Sequence, residues 1–329
     1  MAVFFVLAGC DTPPKAKTFS GQVMGTSYSV QLIELPAQLS EVDLDANIAT
    51  TLNSVDAAMS TYKPESEVSR FNRAPPRTSV EVSAATLQVV ELALVVHKQS
   101  QGAFDISVAP LVDLWGFGAD MRELKKLPDE DAIKRAREKV GGDAINVQKA
   151  PPTLSKGKDL AIDLSAIAKG YAVDRVAELL EKQGITNYLV EVGGELRGRG
   201  QNAKGQTWRI GIETPMLARG NAFTSIPLDD MAVATSGDYR NYIVLDGKRY
   251  SHTIDPRTGM PVAHQVASVT VVHASAAEAD AWATALDVLG VPDGLRLAEQ
   301  LGLAAYFIVR DGEKFNGRET TAFSAYNNN

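Results

Sequence analysis

The segment Asp163-Leu-Ser-Ala-Ile-Ala-Lys169-Gly170-Tyr-Ala-Val-Asp174 decides how the rest of this 329-residue chain is read. Leu160–Leu164 is short and apolar and reads as a buried strand feeding a helix. Ser165 stands where a cap for that helix is expected, and Gly184 where it should stop. Lys169 and Gly170 then fall near the first turn. A cation there faces the positive end of the helix dipole, and glycine costs roughly 1 kcal/mol against alanine. Nothing in the local sequence rewards either choice. An anion bound at the helix start would reward both, since amides, dipole and ammonium would converge on it. A solvated lysine beside a packing glycine is the plainer alternative.

The chain is long enough for one large core or two lobes, and its composition is that of a globular protein, 45% hydrophobic and 22% charged. A net charge of −7, with no basic block, argues against nucleic acid as a partner. The single cysteine excludes an intrachain disulfide and a CxxC metal site. No apolar run reaches the roughly 20 residues of a membrane-spanning helix. Val3–Leu7 followed by Ala8-Gly9-Cys10 looks like the end of a secretory signal with a lipobox, its basic start truncated or miscalled. On that reading Cys10 is lipidated, residues 1–18 are signal and tether, and Asp11 resembles an inner-membrane retention signal. A buried strand with a free thiol is the alternative.

Residues 19–329 read as one domain. Phe19–Leu35 alternates as a hairpin turning at Met24-Gly25-Thr26. Leu44–Met59 and Ser83–Gln99 have helical spacing, and Asp129–Lys139 is a charged surface helix. Gly102-Ala-Phe-Asp105-Ile is a loop entering an extended segment. Strands are expected at Asn187–Val192, Trp208–Glu213, Ala232–Ser236, Tyr242–Leu245, Ala267–Val272 and Ala304–Val309, with a hairpin turn at Asp246-Gly247. Helices fill Ala276–Leu289 and Pro292–Leu301, and the Asn327–Asn329 tail reads as disordered. Hairpins mixed with strand–helix units predict a mixed α/β (α+β) fold without a Rossmann pattern.

Three constellations could carry chemistry. Asp280 and Thr284 stand at i and i+4 among alanines, on one helix face that another segment can approach closely. Two hard oxygen donors with a carbonyl and phosphate oxygens suit Mg²⁺; a surface Asp and a self-bonded Thr is the alternative. Ser251-His-Thr-Ile-Asp-Pro-Arg-Thr-Gly259 is dense in polar groups, and His252 is the best general-base candidate of four histidines. His97 reads as helix-terminal, and His264 and His273 lack polar company. Tyr62, beyond a helix end, could stack on a flat ring or simply pack. GxGxxG after a strand, the P-loop and GxSxG are all absent.

Taken together these segments resemble the ApbE family of FAD:protein FMN transferases. The matching pieces are Met24-Gly-Thr, Met59-Ser-Thr-Tyr62, Gly102-Ala-Phe-Asp105, Asp163–Asp174, Val192-Gly-Gly-Glu195, Ala234-Thr-Ser-Gly-Asp-Tyr-Arg240, Ser251–Gly259 and Ala279-Asp-Ala-Trp-Ala-Thr-Ala285. The resemblance implies an ApbE-like fold with mixed sheets and flanking helices, and an FAD cleft between two lobes. It implies a lipid-anchored protein on the periplasmic side of a bacterial membrane, with Mg²⁺ as cofactor and FAD as substrate. The FMN half of FAD would pass to a Thr or Ser hydroxyl of a partner flavoprotein, such as subunits of sodium-pumping NADH:quinone oxidoreductase, releasing AMP. By matching positions, Met24, Tyr62, Ala103, Phe104, Asp105, Lys169 and Ile254 would contact FAD. The Ala166 carbonyl, Asp280 and Thr284 would hold the metal, and His252 or, second, Asp255 would be the base.

Two other readings compete with transfer: a Mg²⁺-dependent FAD pyrophosphatase, with water in place of the hydroxyl, and a non-enzymatic FAD-binding lipoprotein. The family's acceptor loops resemble Ser/Thr-Gly-Ala-Thr/Ser. Here Ser20-Gly21, Ser236-Gly237 and Thr258-Gly259 all continue with residues other than Ala, so transfer is expected in trans.

Overall fold

In a computed structural model, which describes residues 16–118, 124–213, 222–237 and 242–327, alternating strands assemble into one large sheet. The lipobox with Cys10, and Asp238-Tyr239-Arg240, lie outside those residues. The strands are β1 (Ala16–Val23), β2 (Thr26–Ile33), β3 (Tyr188–Val192), β4 (Glu195–Arg199), β5 (Met231–Gly237), β6 (Val266–His273), β7 (Ala304–Asp311) and β8 (Lys314–Glu319). They lie across the sheet in chain order, each antiparallel to the next. Among the described residues every other strand pair is antiparallel too, so the fold is α+β with no parallel sheet.

That topology has a functional consequence. In an antiparallel meander the connections alternate between the two edges of the sheet. The β1–β2 turn at Met24-Gly25, the β3–β4 turn at Gly193-Gly194 and the long β5–β6 connection holding Ser251–Gly259 therefore share one edge. The first two are side by side, because the Gly193 amide donates to the Ser27 carbonyl at 3.0 Å. Met24 and Gly25 both have positive φ, 53° and 72°, the tight turn a two-residue hairpin needs.

The helices arrive as insertions. Helix α1 (Glu41–Met59) is capped by Ser40 and buries Leu44, Ile48, Leu52, Val55 and Met59, one face at near-heptad spacing. Helix α2 (Ala84–Gln99) starts at Ser83, whose hydroxyl accepts from the Thr86 amide at 3.1 Å. Helices α3 (Ala168–Lys182) and α4 (Ala276–Leu289) pack on each other, and α4 lies on β5 and β6. Alanine makes this contact tight: Ala276, Ala277, Ala279, Ala281, Ala283 and Ala285 are all buried. Residues from α1–α4, the large sheet and the three-stranded sheet form one apolar cluster, and Leu111, Trp115 and Ile254 centre a smaller one.

Several expectations change. Leu160, Ile162 and Leu164 are buried, but the segment joins no strand. Its polar groups are met by other partners: Asn72 bonds both the amide and the carbonyl of Ile162, Asp163 donates to the Ile106 carbonyl, and the buried Lys156 ammonium donates to the Leu160 carbonyl at 2.6 Å. Helix α3 begins at Ala168, later than a Ser165 cap would start it, with Ile167 at the cap position and no side-chain cap. Gly184 does end it, with φ 79° and Ile185 donating to the Leu180 carbonyl. Gly102–Ile106 leads into a short 3-10 turn, and Asn327 closes the last helix. The three-stranded sheet of Val80–Glu81, Ile145–Lys149 and Pro152–Lys156 was not expected; its strands are short and proline-flanked, with little alternation to read.

Candidate functional site

Gly170 is where α3 meets α4. A Cβ at this position would lie 2.1 Å from the Ala276 carbonyl oxygen and 2.8 Å from the Ala277 nitrogen, so only glycine lets the two backbones approach. Its amide donates to Asp280 Oδ2 at 3.1 Å. One turn on, Asp174 caps the other helix: its carboxylate accepts from the Ala276 and Ala277 amides at 2.9 and 3.0 Å and from the Ser275 hydroxyl at 2.8 Å. Gly170 thus gains a structural reward that the local sequence hides.

Lys169 gains its own. Its ammonium lies 3.2 Å from Glu195 Oε1 and 3.7 Å from Asp280 Oδ2, and donates to the Ser165 carbonyl at 3.3 Å. Both carboxylates are buried, Glu195 at 4% and Asp280 at 5% exposure. Burial opposes the charged ammonium, yet Asp280 and Glu195 together outweigh it and hold the Lys169 pKa above its ordinary value. Burial, partly offset by Lys169, pushes Glu195 up to about 8, and it raises Asp280 as well. Glu195 Oε2 is buried without a hydrogen-bond partner. The cluster is short of positive charge, since one ammonium does not hold the pKa values of both buried carboxyls down. It suits a further cation, or a cation carrying a phosphate, better than the bare anion that Lys169 alone suggested.

The other expected residues divide by how free their polar groups are. Because the Gly170 amide goes to Asp280, no backbone amide among the described residues donates to the Ala166 carbonyl. Thr284, half-buried, shares the Asp280 face of α4, and Asp287 extends that face at i+7. Asp287 Oδ2 accepts from Thr253 at 3.2 Å and Ser236 at 3.1 Å, tying the residue after His252 and the end of β5 to the same helix. His252 is half-buried, edge-on to Phe117 at 6.3 Å. Asp255 is engaged in an ion pair: Arg257 donates to both its oxygens at 2.9 Å.

Asp105 is engaged as well. It accepts from the Ser107 amide and hydroxyl at 2.8 and 2.6 Å and from the Gly142 amide at 3.0 Å. Ala103 and Phe104 are buried, so this stretch can offer a ligand only backbone groups. Met24 packs partly against the core at its turn, and Ile254 is buried beside Trp115 and Leu111. Tyr62 is 58% exposed; partial burial, then the nearby Asp163 and Asp113, raise its pKa, which sets its ring near the start of the motif. A Cβ on Gly193 would lie 2.8 Å from Thr26 Cγ2 and 3.1 Å from Lys169 Cδ, so both hairpin turns adjoin Lys169.

Glu195, Asp174 and Asp287 were not expected to take part. A carboxylate directly after a Gly-Gly turn was the available signal for Glu195. His97 is helix-terminal as expected, its ring 3.0 Å from the Phe104 carbonyl. His264 and His273 do have polar company, the Asp287 carbonyl at 2.6 Å and Glu278 at 3.6 Å. No group of three or more His, Cys, Asp and Glu forms a metal cage among the described residues. Asp280, the Ala166 carbonyl and the Thr284 hydroxyl nevertheless fit a hard cation that keeps several other ligands, since one carboxylate and neutral oxygens are what Mg²⁺ takes from proteins.

Fold and site define an α+β protein with a lysine between two buried carboxyl groups at a helix start, on one edge of an antiparallel sheet. The ApbE family model matches residues 24–307, and the chain belongs to the ApbE family. It is 40% identical over 327 residues to the FAD:protein FMN transferase of Vibrio cholerae, covering 99% of this chain and 97% of the relative. It is 39% identical to that of Salmonella typhimurium, covering 99% and 95%. The solved flavin transferase ApbE of Vibrio cholerae superposes with TM-score 0.88 at 39% identity, covering 95% of this chain and 100% of that one. Apo flavinyl transferase ApbE of Pseudomonas stutzeri gives 0.88 at 38%, covering 96% and 98%.

Proposed function

We propose that this chain is a Mg²⁺-dependent FAD:protein FMN transferase that joins the FMN half of FAD to a Thr or Ser hydroxyl of a partner flavoprotein and releases AMP. The observation that carries this is the pair of buried carboxyl groups at the start of α3, Glu195 and Asp280, that share the Lys169 ammonium beside the open Ala166 carbonyl. FAD would lie along the sheet edge, with Tyr62 against a flat ring, Met24 and Ile254 lining apolar parts, and Ala103 to Asp105 offering backbone groups. Ala166, Asp280 and Thr284 would hold Mg²⁺, which supplies charge stabilisation to the phosphoryl oxygens when bound.

The chain's own residues do the rest. Lys169 offsets charge on the diphosphate. His252 takes the proton of the acceptor hydroxyl, whose oxygen forms a new bond to the FMN-side phosphorus as the bridging P–O bond breaks. The bridging oxygen leaves on AMP. His252 is favoured over Asp255 because Arg257 already donates to both Asp255 oxygens. The lipobox reading places the enzyme on a membrane through Cys10, on the periplasmic side, near membrane-bound acceptors, where tethering raises their effective concentration.

The test is mass spectrometry of a candidate acceptor carrying the Ser/Thr-Gly-Ala-Thr/Ser loop, incubated with the chain, FAD and Mg²⁺. One added FMN mass is expected, and none after its terminal Thr is changed to Ala. Rapid FMN release from FAD with an acceptor that stays unlabelled would instead identify a pyrophosphatase. FAD binding with neither product would identify a carrier.

A further inference from the structure

Lys169 and a divalent cation cannot both own Asp280. The ammonium reaches Asp280 Oδ2 only at 3.7 Å, a long contact, while Glu195 Oε1 is closer at 3.2 Å. The second Glu195 oxygen is buried and has no partner. Glu195 therefore has unused acceptor capacity beside an ammonium with hydrogens to give, whereas Asp280 already accepts from the Gly170 amide. The geometry is that of a lysine with two resting places, one of which the proposed metal needs.

We propose that Glu195 is a positioning residue: it takes the Lys169 ammonium off Asp280, so that Asp280 is free for the cation and Lys169 stays charged and aimed at the diphosphate. This rests on the reading of Asp280 as a metal ligand. Shifting Lys169 toward Glu195 Oε2 satisfies an oxygen that is otherwise buried unpaired, so the move exchanges a long contact for a missing one. Gly193 keeps the way clear, since a Cβ there would stand 3.1 Å from Lys169 Cδ. Without Glu195, the ammonium has Asp280 as its one remaining carboxylate among the described residues and competes with the metal for it.

The experiment is Mn²⁺ binding, read by electron paramagnetic resonance without FAD, on wild type, Glu195→Gln, Lys169→Met, the double variant and Asp280→Ala. Glu195→Gln should weaken Mn²⁺ binding by about tenfold, the size expected for groups coupled in one network. In the Lys169→Met background the same change should cost less than about twofold, because the competitor is gone. An equal loss in both backgrounds would overturn the proposal, showing that Glu195 acts on the cation directly or through the fold. Undiminished binding by Glu195→Gln would overturn it too. Failure of the metal reading looks different: wild type and Asp280→Ala would bind Mn²⁺ equally, or not at all. Should Glu195→Gln melt early, Glu195→Asp in the same two backgrounds decides by the same comparison.

Discussion

Gly170→Ala sets two quantities against each other. Helix propensity alone favours alanine by up to about 1 kcal/mol. Against that, the new Cβ would sit 2.1 Å from the Ala276 oxygen and 2.5 Å from its carbonyl carbon, backbone atoms that cannot rotate aside. Overpacking of this kind costs about 1–3 kcal/mol. Separating the helices also stretches the Gly170 amide bond to Asp280, a charge-assisted bond worth about 1.5–3 kcal/mol. Packing wins, with a net destabilisation of about 2–5 kcal/mol. For a chain of this size that lowers Tm by about 3–7 °C. Differential scanning calorimetry measures it. Gly184→Ala at the other end of α3 is the control: at φ 79° with nothing within 4 Å, it pays only backbone strain, about 1–2 kcal/mol, and leaves Lys169 in place. FAD affinity should therefore fall for Gly170→Ala and hold for Gly184→Ala. A Gly170→Ala protein melting at or above wild type would refute the close approach of α3 and α4.

Three further outcomes are expected. Glu195 is pushed up from 4.5 to about 8 in the folded chain, so between those pH values the fold keeps a proton that the unfolded chain has lost. Stability should be full below about pH 4.5 and fall as pH rises toward 8, with a slope of at most about 1.4 kcal/mol per pH unit; denaturant melts in EDTA should show the slope flattened in Glu195→Gln, and an unchanged slope would count against the burial of this carboxyl. His252→Asn should cut turnover by about 10²–10⁴ with FAD affinity little changed, and if Asp255→Asn produces that pattern while His252→Asn does not, the base is Asp255. After incubation with FAD and Mg²⁺, the denatured chain itself should carry no covalent flavin by mass spectrometry, because none of its Ser-Gly or Thr-Gly pairs continues with Ala.

The strands and long helices were legible because their periodicities are strong: the five-residue face of α1 and the alternation of β1 and β2 survive any tertiary context. Leu160–Leu164 misled because a short apolar run is equally consistent with a strand and with a buried irregular segment, and what distinguishes them here is Asn72, 90 residues away. Asp280 and Thr284 could be paired by spacing, but nothing in the sequence tells that Asp280 is buried and already answers Lys169 and Gly170. Asp255 shows the converse: its neighbour Arg257 was visible, while the grip on both carboxylate oxygens depends on a turn geometry that only the structure supplies.

The same motif also divides its labour more unevenly than its chemistry suggests. Gly170 and Asp174, one turn apart on α3, both address α4: one through a missing side chain and an amide to Asp280, the other by capping Ala276 and Ala277. That leaves the Ala166 carbonyl, just before α3, and Lys169 as the groups available to the proposed ligand. Because Asp280 lies one turn beyond the amides that Asp174 caps, the position of the proposed metal ligand depends on a carboxylate that never meets the substrate. Arg197 adds a constraint from the sheet, donating to Asp174 at 3.1 Å, so β4, α3 and α4 are fixed at one point. A motif that reads as a ligand loop is therefore in large part a docking surface between two helices, and close packing there fixes where Lys169 and Asp280 stand.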